Sequence, residues 1–269
     1  MRIDAREFVE RMTLPVWQAS AAARWLEGRV ENRPKHDEQT DEKSALSDAD
    51  CVSQEILLVA LREFFPAVEI EAEEDTPSAA AFHGNRSDDF VVVDPIDGTL
   101  RYLRGDGLYS IIVGLERGGR VEAAVIAVPQ EEIVVRAVRG GGAEVSHAGG
   151  AFRAARFGGG ERVLVSHRLA DQAEAELRGR GRTLVKAAGG AIGVALLLEK
   201  TIGAIRISQR EGGLSRRAWI SALPTLEAGG AAAAIDGPFP EAYRPAVPGV
   251  IMAADEAGLE ELRRSLAAG

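Results

Sequence analysis

Phe90-Val91-Val92-Val93-Asp94-Pro95-Ile96-Asp97-Gly98-Thr99 decides how the rest of the chain is read. The apolar run 90–93 has no polar alternation, so it predicts a strand buried on both faces. It ends directly in an acidic turn. Asp94 and Asp97 flank Pro95-Ile96, and Pro95 removes a backbone donor and fixes its φ. Like charges this close repel unless a cation bridges them, and carboxylate oxygens suit a hard ion such as Mg²⁺, with the Ile96 carbonyl as a further ligand. Gly98 lets the backbone approach a ligand, while Thr99 brings a hydroxyl and an N–H to the expected start of a helix. Asp, Pro and Gly are also favoured in plain β-turns, but the complete string 94–99 after an apolar strand goes beyond that reading.

Upstream, Glu73 and Glu74 follow a short strand expected over 68–72, from which they can reach the same cation; otherwise such a pair is a solvated feature. A helix is expected from Asp48, with its carboxylate as cap, to Phe64, before Pro66. Asp50 there is read equally as a first-turn acid or a metal residue. Val16, Ala19, Ala23, Leu26 and Val30 predict an amphipathic helix over 13–30, capped by Thr13 with Pro15 in its first turn. The polar stretch 31–43 reads as an exposed loop.

Downstream, strands are expected over 108–115, 120–128 and 132–138, separated by Gly118-Gly119 and Pro129-Gln130, which makes an antiparallel meander. Residues 140–150 and 158–160 read as loops. The second half predicts a strand over 163–165, a helix over 170–178, an apolar helix over 193–199, a strand over 250–253 and a helix over 256–266. The mixture indicates a layered α/β or α+β architecture. The boundary falls between an α+β half, 1–157, carrying the metal site, and an α/β half, 158–269, within one compact unit.

With 46% hydrophobic residues in 269, the chain can bury a core, and its formal charge of -9 disfavours nonspecific nucleic-acid binding. Polyanionic partners would need a metal bridge. The lone Cys51 excludes an intrachain disulfide and a cysteine zinc cluster. Asp4, Glu7 and Glu10 near the start, and the lack of an apolar run of membrane-spanning length, predict no secretory leader, no membrane partner and a cytoplasmic location.

The order Lys43, Ser47-Asp48-Ala49-Asp50, Glu73-Glu74-Asp75 and Asp94-Pro95-Ile96-Asp97-Gly98-Thr99 resembles the inositol monophosphatase-like superfamily of magnesium-dependent, lithium-sensitive phosphatases. Its members include histidinol phosphatases and bisphosphate nucleotidases. Ser166-His167, Gly189-Gly190-Ala191 and Glu227-Ala228-Gly229-Gly230 extend the likeness along the chain. The resemblance implies an αβαβα sandwich, a Mg²⁺ cofactor, a homodimer and hydrolysis of a small soluble phosphate monoester: an inositol phosphate, histidinol phosphate, sugar phosphate or nucleotide 3'-phosphate. It implies that Glu73, Asp94 and the Ile96 carbonyl hold a first Mg²⁺, that Asp94 and Asp97 share a second, and that Glu74 and Asp50 hold waters or a weaker ion. Glu73 and Thr99 would orient the attacking water, while Gly98, Thr99, Gly190 and Ala191 would meet phosphate or substrate.

One position departs from the family. A late Trp-Asp pair normally completes the second metal site, but Trp219 is followed by Ile220, and counting back from Gly229-Gly230 brings Arg217 near the position expected for the aspartate. Three explanations stand open: Glu211 or another acid substitutes in space, Arg217 takes over part of the charge neutralisation at the phosphate, or the chain binds metal or a phosphorylated ligand without turnover. His83, His167 and Ser166 lack the partners of an acid–base pair or a nucleophile. Trp17, Trp25 and Trp219 read as packing residues, and 178–182 as a solvated basic loop.

Overall fold

The apolar run 90–93 lies in the interior of the second strand of a seven-stranded sheet in a computed structural model of the chain. The structure describes residues 2–34, 46–82, 88–166, 169–187, 189–198, 200–208 and 212–267. In chain order the first half forms α1 (Ala5–Leu26), α2 (Asp48–Phe64), β1 (Glu69–Ala72), α3 (Pro77–Ala80), β2 (Asp89–Asp97), α4 (Thr99–Arg104), β3 (Ser110–Arg117), β4 (Arg120–Val128), β5 (Ile133–Val138), β6 (Gly142–His147) and β7 (Arg153–Ala154). The second half forms β8 (Gly160–Val165), α5 (Asp171–Gly179), β9 (Thr183–Lys186), α6 (Gly189–Gly193), β10 (Lys200–Ile207), α7 (Arg216–Glu227), β11 (Ala231–Ala234), β12 (Gly237–Pro238), β13 (Gly249–Ala253) and α8 (Glu256–Ala267).

Strands β1 to β7 follow one another in the first sheet, β1 parallel to β2 and the rest antiparallel. The second sheet runs β12-β11-β13-β10-β8-β9, with β8 parallel to both β9 and β10. Side chains alternate across β2: Val91 and Val93 join the core under α1 and α2, whereas Val92 joins the core against α6 and α7. Burial on both faces is why the run carries no polar alternation. Helices α6 and α7 lie between the two sheets, and α5 and α8 cover the outer face of the second, around Leu177, Leu259 and Leu262. The result is the expected αβαβα sandwich. Among the described residues no helix is long and apolar enough to cross a membrane.

Several local expectations are corrected. Helix α1 begins at Ala5, capped by the Asp4 carboxylate, which accepts the Glu7 N–H at 2.8 Å. Its buried stripe includes Phe8, Val9 and Met12, ahead of the expected start. Thr13 therefore sits mid-helix, donating its hydroxyl to the Val9 carbonyl at 2.6 Å, and Pro15 is inside the helix. Helix α2 keeps its expected bounds, but Ser47 is its cap; Asp48 instead pairs with Arg33 at 2.6 Å. Part of 140–150 is the strand β6, antiparallel to β5, with Gly142 as its first residue and the other glycines outside it. Gly160 opens β8, and the apolar stretch expected as a helix over 193–199 follows the short helix α6 and a single 3₁₀ turn, Ala195–Leu197.

Helix α7 is set against the first sheet by a close approach. A Cβ built on Gly114 of β3 would lie 2.5 Å from Cγ2 of Ile220. Gly114→Ala is expected to lower stability by about 1–3 kcal/mol through overpacking, read as a lower urea midpoint. In an Ile220→Ala background, which lacks Cγ2, Cγ1 and Cδ1, Gly114→Ala should cost much less; an additive double mutant would contradict the contact.

Candidate metal and phosphate site

The site forms where β2 leaves the sheet. The backbone is still strand through Asp97, but the pairing with β3 slips between Asp94, opposite Ile112, and Asp97, opposite Ser110. This bulge replaces the expected simple turn and puts two carboxylates at one strand end. Gly98 follows in the left-handed region at φ 107°, where a side chain would be strained, and α4 starts at Thr99. Helix α4 is anchored by Tyr102, which is buried edge-on to Tyr109 at 4.9 Å and donates its hydroxyl to the Ala23 carbonyl of α1 at 2.9 Å.

Glu73 and Glu74 arrive on the loop after β1. Gln54 of α2 holds that loop: its side-chain amide donates to the Glu74 carbonyl at 2.6 Å and accepts the Glu74 N–H at 2.9 Å. Asp50, one turn earlier on α2, is buried. One of its oxygens accepts the Ser47 N–H at 2.8 Å and the Ser47 hydroxyl at 2.7 Å, and the other accepts the Thr99 hydroxyl at 2.9 Å. Asp50 thus acts as a first-turn acid and is also a partner of the site's threonine.

Asp94 is 1% exposed, and neither of its oxygens accepts an aligned hydrogen bond from a described N–H or O–H donor. Arg217 Nε approaches Asp94 Oδ2 at 2.9 Å and Arg217 Nη2 approaches Glu73 Oε2 at 3.3 Å, as charge contacts. Burial pushes the Asp94 carboxyl well above the usual carboxylate range; Arg217 pulls it down, while Glu73 and Asp97 push it further up. Burial opposes the charge on Arg217, and the carboxylates of Asp94, Glu73 and Asp97 outweigh it. Asp97 Oδ2 accepts the Gly190 N–H at 3.0 Å and has Arg206 Nη2 3.8 Å away.

The second half thus closes the site with cations and backbone. Gly190 enters through its N–H, and the Ala191 side chain is buried in the core between the sheets. Arg217 stands in the first turn of α7, where a helix disfavours positive charge. Its neighbour Arg216 pins the turn: it reaches buried Glu116 at 2.5 Å and lies over Tyr243 and Phe90, at 4.6 Å and 5.4 Å from the ring centroids. Arg206, Gln54, Arg216 and Glu116 carried no assignment in the sequence reading. The tandem arginines at a helix start were the visible signal for two of them, because cations there require partners elsewhere.

Among the described residues, no three His, Cys, Asp or Glu side chains are grouped to hold a metal. The expected set divides accordingly. Glu73, Asp94 and the Ile96 carbonyl suit one hard cation that would share the two carboxylates with Arg217, since Asp94 is buried beside a second carboxylate and neither of its oxygens accepts an aligned hydrogen bond from a described donor. The second set does not suit a divalent ion: Asp97 already accepts the Gly190 N–H and faces Arg206, Arg217 lies against Asp94, and no acid from the described part of 203–223 faces Asp97. Glu211, Lys43, His83 and His167 lie outside the described residues.

The inositol monophosphatase family model matches residues 11–197. The chain belongs to this family. An inositol-1-monophosphatase from Mesorhizobium japonicum is 34% identical over 98 residues, 36% of this chain and 35% of its own length. A putative Nus factor SuhB from Neisseria meningitidis is 34% identical over 109 residues, 39% of this chain and 40% of its own length. A fructose-1,6-bisphosphatase/inositol-1-monophosphatase from Thermotoga maritima is 30% identical over 139 residues, 52% of this chain and 45% of its own. The matches therefore span less than half the length of these relatives. In fold, the extragenic suppressor protein suhB of Bartonella henselae superposes with a TM-score of 0.74 at 18% identity, covering 98% of this chain and 99% of its own. A Thermotoga maritima IMPase gives 0.71 at 20% identity over 97% of both chains. Helix α7, with Arg217, lies beyond the range of the family match.

Two predictions follow from this geometry. Gly189 has φ +46° and a Cβ there would fall 1.5 Å from Asp97 Oδ2. Gly189→Ala is expected to cost at least about 1–2 kcal/mol in backbone strain alone, with a further loss as Asp97 is displaced. Gly179→Ala, where no atom lies within 4 Å, is the control; equal urea midpoints for the two variants would contradict the contact.

The other prediction concerns pH. Burial raises the Asp50 carboxyl to about 7, against the hydrogen bonds from Ser47 and Thr99. The unfolded chain loses that proton near 4, so between about 4 and 7 the folded state binds more protons and its stability falls as pH rises. In chelator, wild-type stability relative to Asp50→Asn should decline across that window and level off above it. Parallel stability curves would contradict the shift.

Proposed function

We propose that the chain is a Mg²⁺-dependent phosphomonoesterase acting on a small soluble monoester: an inositol phosphate, histidinol phosphate, sugar phosphate or nucleotide 3'-phosphate. The observation that carries this reading is Asp94, a buried carboxylate at a strand end beside Glu73, neither of whose oxygens accepts an aligned hydrogen bond from a described donor. Glu73, Asp94 and the Ile96 carbonyl would hold the ion, with Glu74 and Asp50 toward its waters. When bound, Mg²⁺ supplies Lewis acidity to a phosphoryl oxygen and acidifies a water.

The chain's own groups do the rest. The Thr99 hydroxyl, within hydrogen-bonding distance of Asp50 and of the Ile96 carbonyl, would orient a water, and Asp50, raised to about 7, is suited to take up a proton at neutral pH. Gly98 admits the phosphate close to the backbone. Arg217 and Arg206 offset charge that would otherwise repel an anion. The partners of this reading are a small phosphorylated substrate and a second copy of the chain, in the cytoplasm, with no polymeric nucleic acid and no membrane.

A second reading, a family member that binds metal or a phosphorylated ligand without turnover, is favoured by the contact of Arg217 with both Asp94 and Glu73. A panel of phosphate monoesters assayed with Mg²⁺ separates the two. Turnover of at least one, reduced by about a thousandfold or more in a folded Asp94→Asn variant as for a lost transition-state charge partner, supports the enzyme. No turnover of any monoester, with Mg²⁺ binding intact, supports the second reading.

A further inference from the structure

We infer that Arg217, assisted by Arg206, permanently replaces the second divalent cation, so that this site takes one divalent ion and meets the phosphoryl group with that ion and a guanidinium. The inference rests on the phosphatase reading of the same site and specifies how its charge is supplied.

Position is the first argument. Arg217 reaches both Asp94 and Glu73, and the helix carrying it has little freedom. Gly114 admits Ile220 against the sheet, Thr225 donates to the Gly193 carbonyl at 2.7 Å, and the Trp219 indole donates to the Pro240 carbonyl at 3.0 Å. Arg216 is held on the opposite side by Glu116. The guanidinium of Arg217 is therefore presented to Asp94 and Glu73 by a fixed framework.

Occupancy is the second. Asp97, the other carboxylate of a second metal site, already accepts the Gly190 N–H and faces Arg206, whose Nη1 also reaches the Ser221 hydroxyl at 3.4 Å. Both arginines are largely buried, 14% and 11% exposed in their side chains, so solvent screens them poorly.

Charge is the third. Glu73, Asp94 and Asp97 meet two guanidiniums, which leaves one formal negative charge among the groups in contact. One divalent ion already more than offsets it, and a second would only add to the excess of positive charge. A guanidinium also brings planar, paired N–H donors suited to phosphate oxygens, and it does not dissociate at low metal concentration.

Mn²⁺ binding to the full chain, counted by electron paramagnetic resonance of the free ion and by calorimetry, tests the inference without recourse to activity. Wild type is expected to take one Mn²⁺ per chain at the site, and Arg217→Lys, which keeps the charge, also one. Arg217→Asp, which restores a carboxylate, is expected to take two. Two Mn²⁺ of similar affinity in wild type would overturn the inference and leave the metal-dependent phosphatase reading standing. No Mn²⁺ in wild type at millimolar concentration would overturn both. The wild-type count is informative even if Arg217→Asp fails to fold.

Discussion

The contact of Arg217 with Asp94 and Glu73 is the interaction on which this site turns. Three carboxylates gathered at a strand end are unstable as a group in a protein interior, because burial and mutual repulsion both disfavour the charged forms. Each charged partner must come from somewhere. Here part of it is covalently attached, carried by a helix that the core between the two sheets holds in place. Buried ion pairs of this kind add little to stability and are costly to break on one side only. Their value lies in fixing where charge stands before a ligand arrives.

The fold supplies the two halves of that arrangement from different layers. The first sheet delivers Asp94 and Asp97 on β2, with α2 steering Glu73, Glu74 and Asp50 through Gln54 and the Thr99 contact. The middle layer and second sheet return the answer as Gly190, Arg206 and Arg217. The bulge that separates Asp94 from Asp97, and the absence of a side chain at Gly189, are small local features with large consequences, because each sets a carboxylate's position.

Much of this was legible in the residues. The unbroken run before Asp94 announced a strand covered on both faces, and the meander after it followed from its turns. Other elements were hidden for physical reasons. Helix α1 started early because Asp4 is a better cap than Thr13, whose hydroxyl is satisfied within the helix. Strand β6 hid among glycines, one of which, Gly142, opens it, and β9 is only Thr183–Lys186. At the site, the acidic turn pointed to its own function, whereas Arg206 and the Gln54 clamp are long-range contacts with no local signature. Arg217 was singled out by counting from Gly229-Gly230, but only the structure showed that it reaches Asp94 and Glu73.

The central claim is that one divalent ion and one guanidinium share the work of two ions. A crystal soaked with Mn²⁺ and inorganic phosphate, with anomalous scattering used to locate the metal, addresses it most directly. The account predicts a single Mn²⁺ peak bounded by Glu73, Asp94 and the Ile96 carbonyl, with Arg217 still against Asp94 and turned toward the phosphate. Two Mn²⁺ peaks, with Arg217 displaced from Asp94, would contradict it.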